Sequence, residues 1–462
     1  MRYYISFRRP RGNAGPVQCG RTNTMTNNEF KLQDVPEPNL FRTVFPYVEL
    51  PRVTFDDTCV PMNPAPAIWI TDTTFRDGQQ ARPPYTVEQI VDIYRLLGKL
   101  DGGSGLIRAS EFFLYSRKDR QAVEQCLETG LPFPHVTGWI RAVKSDFKLV
   151  KDMKLPETGI LTSCSDYHIF LKLKKSRKQA MSLYLDVVKA ALDEGIRVRC
   201  HVEDVTRSDM PGFTIPFAIE LMKLRQQYGV DVKVRLCDTM GYGVPWPNAT
   251  LPRSVPKIVH AMIHDAGVPS ELLEWHGHND FHKVLINPAT AWLYGCAGCN
   301  ASILGIGERT GNTPLEAMVI EAAQLRGHDA KVNYPVISEI ADYFRDVIGY
   351  DIPHNYPLMG RDFNTTSAGI HADGLTKSEE IYSAFDTHKI LNRPCGVRIT
   401  DKSGAAGIKH WIDNNYGLDV AKDDSRLLKI RDIVDAQYEA GRTTTISDEE
   451  MHAWYAESFA KK

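Results

Sequence analysis

Glu274-Trp275-His276-Gly277-His278-Asn279-Asp280 sets two imidazoles two residues apart at the end of an alternating run. In a strand, residues i and i+2 share a face, so both rings point the same way at its mouth. Two converging imidazoles make most of a divalent-metal site, and an aspartate of the upstream run Asp72-Thr73-Thr74-Phe75-Arg76-Asp77-Gly78-Gln79-Gln80 is the expected third ligand. An open metal face beside Arg76 suits a 2-oxo acid. The carboxylate and keto oxygens of such an acid fill two coordination positions as a five-membered chelate, which polarises the carbonyl carbon toward attack. Arg76 would hydrogen-bond the oxygen that becomes an alkoxide.

These residues are far apart in the chain, so the fold must bring them together. From about residue 66 onward, β-rich runs alternate with amphipathic helical stretches. Strands are expected at Ala67 to Asp72, Ile107 to Phe113, His135 to Ile140, Gly159 to Cys164, Arg197 to Glu203, Val232 to Asp238, Leu273 to His278 and Asn300 to Gly305. Helices between them include Thr86 to Leu100 and Ser176 to Asp193. Eight β-α units predict an α/β fold, a (β/α)8 TIM barrel, over residues 66–345. An open doubly wound sheet is the alternative, but the candidate residues fall at many strand ends rather than at one switch point. Asp77 follows strand 1 and the two histidines end strand 7, so a barrel carries all three to one rim. Residues 1–65 read as a Pro-rich N-terminal arm, and 346–462 as a helical lid or dimerisation region.

The chain has 462 residues, 43% of them hydrophobic, with a formal net charge of -2 and no apolar run long enough for a membrane span. Neither nucleic acid nor membrane is expected as a partner. Nine irregularly spaced cysteines do not form a disulfide framework and point to the cytoplasm. Cys296 and Cys299 form a CxxC, read as small buried thiols. Arg2, Arg8, Arg9, Arg11 and Arg21 give the first residues the look of a transit peptide, although an untidy extension explains them equally well.

The Asp72 to Gln80 run, the His-Gly-His-Asn-Asp run and Leu304-Gly305-Ile306-Gly307-Glu308-Arg309-Thr310-Gly311-Asn312 resemble, in order and separation, the signatures of the metal-dependent acyl-CoA condensing enzymes. That family includes 2-isopropylmalate, homocitrate and citramalate synthases. The resemblance implies a (β/α)8 barrel with Asp77, His276 and His278 on the metal and Asn312 close by. It implies Arg76 and Glu203 as catalytic residues, with His371 and Tyr382 acting with Glu203 from the partner subunit of a homodimer. Gln80, Arg199 and Thr239 are expected as substrate contacts, and Arg141, near the end of the third strand, is a further candidate clamp for a second carboxylate. Mn2+ is the first choice of metal, followed by Mg2+, Co2+ or Zn2+. Acetyl-CoA is the implied co-substrate.

The chain also departs from the family. Phe281-His282-Lys283 replaces a small apolar pair after the metal histidines, and His201 stands where a smaller residue is common. The added charge suits a second carboxylate on the substrate, because burying that anion without a cation would cost about several kcal/mol. His201, His282 and Lys283 are therefore expected to contact substrate. The order of expected substrates is oxaloacetate, 2-oxoglutarate, then 2-oxoisovalerate. About 80 residues follow Tyr382 and lack the pattern of a leucine-binding regulatory domain. The strand-8 loop has no cysteine, which argues against the related acyl-CoA lyases. The alternatives are a metal-dependent aldolase or lyase on the same barrel and a non-catalytic ligand sensor.

Overall fold

The computed structural model describes residues 30–460. The arginine-rich start of the chain lies outside the described residues. Eight parallel strands close a barrel in sequential order: β1 Trp69–Asp72, β2 Ile107–Phe113, β3 His135–Ile140, β4 Glu157–Ser163, β5 Arg197–Glu203, β6 Val232–Asp238, β7 Leu273–Gly277 and β8 Gly298–Ala301. Closure is by β1 on β8, with Asp72 opposite Ala301. A register shift in the β1–β2 pair between Ile70 and Thr71 re-aims the end of β1, from which the Asp77 segment leaves.

Four strands differ from the sequence expectation: β1 begins at Trp69 rather than Ala67, β4 runs Glu157–Ser163 rather than Gly159 to Cys164, and the last two strands differ as well. The last strand ends at Ala301 rather than Gly305, because the chain then turns sharply and Leu304 takes φ 57. The seventh ends at Gly277, so His276 lies in the strand and His278 just beyond it.

The chain divides into two compact units. Among the described residues, the first holds the barrel and comprises 30–87, 106–128 and 135–325; the second comprises 88–105, 129–134 and 326–460. The division falls earlier than the expected boundary at residue 345. Helix α1 (Val87–Asp101) and the segment beyond 325 bond one another: Lys99 pairs with Glu339 at 2.6 Å, and the Tyr343 hydroxyl donates to Asp92 at 3.1 Å.

Within the first unit, helices α2 (Arg117–Glu128), α3 (Phe147–Asp152), α4 (Arg177–Asp193), α5 (Ile215–Tyr228), α6 (Val255–His264), α7 (Ile286–Leu293) and α8 (Leu315–Arg326) follow the strands from β2 on. Helix α4 shows how local sequence specifies an element. Ser176 and Gln179 make a reciprocal capping box, and Tyr184, Val187, Val188 and Ala191 form its buried stripe. Residues 30–66 run along the barrel as an arm. The Gln33 N–H donates to Gly212, the Tyr167 hydroxyl to Leu40, the Arg253 guanidinium to Pro51 and Arg52, and the Ala65 N–H to Trp292.

The barrel interior is charged. Glu111 of β2 meets Arg199 of β5 at 2.9 Å and Arg235 of β6 at 3.1 Å; these strands are not neighbours, so the contacts cross the inside. Glu157 takes Arg199 at 3.0 Å, and Glu274 takes Arg235 at 2.7 Å. Alternate residues such as Val198, Cys200, Val202, Val234 and Leu236 are buried on the opposite strand face.

The second unit adds α9 (Val336–Asp346), α10 (Gly369–Lys377), α11 (Thr387–Leu391), α12 (Gly404–Tyr416), α13 (Ser425–Glu439) and α14 (Asp448–Phe459). Its core gathers Leu375, Ile399, Ile408, Trp411, Leu427, Ile430 and Met451. Thr365–Thr366 and Gly396–Val397 pair as two short parallel strands, which the helical reading of this region did not foresee.

Candidate active site

Asp77, His276 and His278 come together at the rim of the barrel, each buried, with one ligand atom from each lying within 4.8 Å of the others. The two Nε2 atoms are 3.2 Å apart, and Asp77 Oδ2 is 3.6 Å and 3.9 Å from them. Nδ1 of His276 bonds Asn300 Oδ1 at 2.7 Å, and that amide's own Nδ2 donates to the Thr71 carbonyl at 3.1 Å. An amide oxygen only accepts, so the ring proton sits on Nδ1 and the Nε2 lone pair faces the trio. Two imidazole nitrogens this close, beside a carboxylate, suit a shared cation, whose ligands at about 2.0–2.2 Å would stand at comparable separations.

Burial pushes both imidazoles to lower pKa despite the pull of Asp77, so they are neutral ligands. Burial also opposes ionisation of Asp77, but the Arg76 guanidinium, with the Asn312 amide N–H, outweighs it and holds the carboxyl well below its usual range. Asn312 Nδ2 donates to Asp77 Oδ2 at 2.9 Å, leaving its buried Oδ1 without a partner. The bridge between His278 and Asn312 brings the strand-8 loop to this point. That loop requires glycine: a Cβ on Gly307 would lie 2.5 Å from the Asn312 side chain, and Gly311 has φ +95. The residues present therefore fit a divalent ion.

Arg76 is fixed on two sides. Its Nε donates to Glu111 at 2.8 Å, and Nη1 lies 3.3 Å from Asp77; no described residue bonds Nη2. Glu203 ends β5 with Ser163, His168 and Lys172 around one oxygen. Burial raises its affinity for a proton, but those donors prevail and hold the carboxyl at about 2. Further polar contacts tie the rim together. The Asp204 N–H donates to Thr239 Oγ1 at 2.8 Å, while Arg309 bonds the Thr239 carbonyl and pairs with Asp280 at 3.0 Å.

Several expected substrate contacts have partners within the chain or lie exposed. Arg199 is buried among Glu111 and Glu157 inside the barrel, so its charge is already matched. His201 is also interior, 3.2 Å from Glu111, and burial lowers its pKa to about 3. It is neutral and carries no positive charge. Lys283 turns back to the Phe281 carbonyl at 3.1 Å, and His282 is exposed at φ 55. Arg141 is exposed and forked onto Asp146 at 2.9 Å and 3.1 Å, and Gln80 is exposed.

In the second unit, the His371 and Tyr382 rings stand 4.4 Å apart, both exposed, with His371 Nδ1 3.2 Å from Thr366 Oγ1. Gly374 leaves room for the Tyr382 ring, which a Cβ there would meet at 2.4 Å.

The family model described as HMGL-like matches residues 67–344. The chain belongs to the HMGL-like family. Among HMGL-like relatives, it is 59% identical over 428 residues to the citrate (Re)-synthase of Syntrophus aciditrophicus (strain SB), covering 92% of this chain and 68% of that protein. It is 52% identical over 427 residues to the citrate (Re)-synthase of Clostridium kluyveri, covering 92% of this chain and 94% of that one. The 2-phosphinomethylmalate synthase of Streptomyces hygroscopicus is 37% identical over 437 residues, covering 93% and 98%. Three features of this HMGL-like site escaped sequence reasoning: Asn300, His168 and the Glu111 network. Asn300 could have been found by pairing β7 with β8, whose register sets it opposite His276.

Proposed function

We propose that this chain is a citrate (Re)-synthase, condensing acetyl-CoA with oxaloacetate and hydrolysing the product thioester to citrate and CoA. The observation that carries the reading is the 52% identity that spans 94% of the Clostridium kluyveri enzyme. The buried trio beside Arg76 supports it. A divalent metal held by Asp77, His276 and His278 would polarise the ketone. Arg76, anchored by Glu111, presents Nη2 to the oxygen that gains charge. Glu203 takes a proton from the acetyl methyl group, leaving the electron pair on carbon to attack C2 of oxaloacetate. Water then cleaves the thioester and CoA leaves as the thiol.

Mn2+ or Mg2+ suits the mixed nitrogen and oxygen donors. The active form in this proposal is a homodimer in which His371 and Tyr382 reach the partner subunit's barrel. Their exposure, and their position on a segment beyond the eight strands, support that assignment. Among the described residues, no helix is long and apolar enough to cross a membrane. The described cysteines are all free, which supports a cytoplasmic location.

The test is CoA release from acetyl-CoA with oxaloacetate, 2-oxoglutarate, pyruvate and 2-oxoisovalerate under several divalent metals. Oxaloacetate should give the highest kcat/KM; preference for another acid overturns the substrate, and cleavage without acetyl-CoA overturns the reaction class. Mixing Glu203→Ala with His371→Ala protein should restore part of the activity. Mixed dimers that stay inactive would refute site sharing.

A further inference from the structure

The two oxygens of Glu203 have unequal surroundings. Oε2 accepts from the Ser163 hydroxyl, lies 3.1 Å from His168 Nδ1 and is 3.4 Å from the Lys172 ammonium. No described residue bonds Oε1. His168 and Lys172 come from one π-helical turn, Tyr167–Lys172, where the wider winding sets Lys172 Nζ 3.4 Å from His168 Nδ1. The other imidazole nitrogen, Nε2, lies 3.7 Å from Asp204 Oδ2, and Asp204 is itself buried and paired with Arg207 at 2.9 Å. The ring thus stands between two carboxylates.

We propose that His168, assisted by Lys172, is a positioning residue for Glu203: it pins Oε2 so that Oε1 is the oxygen turned toward the methyl group of the thioester. The proposal rests on the acetyl-CoA condensing reading. A carboxylate free to rotate offers either oxygen in many orientations, whereas donors from β4 and the π turn on one oxygen leave a narrow range for the other. In the step it serves, the methyl C–H bond breaks, the proton goes to Oε1 and the electron pair stays on carbon. The same donors keep Glu203 ionised against its burial. Other titratable groups near it include Tyr184 of α4, Cys237 of β6 and Cys164, whose thiol donates to the Glu203 carbonyl at 3.1 Å. Burial pushes all three to higher pKa, so they stay neutral.

The experiment compares wild type, His168→Ala, His168→Gln and Lys172→Met by kcat, by KM for each substrate and by the pH profile of kcat/KM for acetyl-CoA. His168→Ala should lower kcat by about tenfold to a hundredfold, part of what a positioned general base supplies. KM for oxaloacetate should stay within about twofold, since the ketone is bound elsewhere. Removing a donor raises the proton affinity of Glu203, so the acid limb should move to higher pH. His168→Gln keeps an N–H for Oε2 and should recover part of both effects; Lys172→Met, at a half-exposed side chain, should show a smaller shift. Deuterium exchange into the acetyl methyl group should slow in the same order. An unmoved acid limb in an active His168 variant overturns the proposal, as does a loss expressed only in thermal stability or in KM for oxaloacetate. If His168→Ala does not fold, His168→Gln and Lys172→Met are read alone, and an unmoved limb in both has the same meaning. A wild type that releases no CoA with any oxo acid would instead refute the underlying function.

Discussion

The barrel holds two groups of titratable side chains with opposite arrangements. In its interior, Glu111, Glu157 and Glu274 face Arg199, Arg235 and Arg76, and each of these charges has an opposite one within 3.1 Å. At the rim, the Asp77 carboxylate faces two neutral imidazoles, and the buried Asn312 Oδ1 has no partner among the described residues. The interior is balanced by the chain itself and holds shape; the rim gathers donors that fit a cation. The contrast teaches that burial of a charged residue does not by itself mark a site. What marks it is a set of donors with lone pairs aimed at a point that no other protein atom fills.

The comparison can be broken most severely at the rim. Replacing His276 with Ala, or removing the ion with a chelator, should cost about a thousandfold or more in kcat/KM, because several kcal/mol of charge stabilisation goes with it. Adding back a divalent ion should restore the chelated wild type but not the variant. Full activity after exhaustive chelation would dissolve the distinction.

The interior predicts a different loss. Glu111→Ala removes the carboxylate shared by Arg76, Arg199 and Arg235, and should lower unfolding free energy by about 3–5 kcal/mol, measured by urea denaturation. Asp77→Asn should cost much less stability while abolishing metal binding. Equal destabilisation by the two would mean that the rim is as structural as the core.

Asn300→Ala tests the support of the rim. Without the acceptor for its Nδ1 proton, His276 loses its fixed tautomer, and metal affinity by calorimetry should weaken by about 10–100-fold with the fold intact.

The smallest effect is a pH slope. His201 has its pKa lowered from 6.5 to about 3 by burial, so below pH 6.5 the unfolded chain takes up a proton that the folded chain refuses. The stability this group confers is fully present above pH 6.5 and is lost as pH falls toward 3. His201→Gln should flatten the pH dependence of the urea midpoint in that window, and an unchanged slope would show that the ring is charged.

Much of the barrel was legible because strand and helix periodicities are local. The fifth and sixth strands occur with the limits read from sequence, Arg197–Glu203 and Val232–Asp238. The limits of β8 were misread because Gly298-Cys299-Asn300-Ala301 has neither β-branched residues nor a clear alternation. The depth of the β5 side chains was not legible for another reason. Period two puts Arg199, His201 and Glu203 on one face but does not say that the first two lie deep in a closed barrel while the third reaches its mouth.

By itself, the sequence determined the order of the eight strands and the shared direction of His276 and His278, since both follow from neighbours along the chain. It also determined the turns that demand glycine, such as Gly311. Tertiary structure alone decided that Asn300 sets the tautomer of His276, that His168 stands against Glu203 and that Glu111 absorbs the charges of three arginines. Those outcomes depend on distances across the barrel, and electrostatic and hydrogen-bond energies fall with separation in space rather than with separation in sequence.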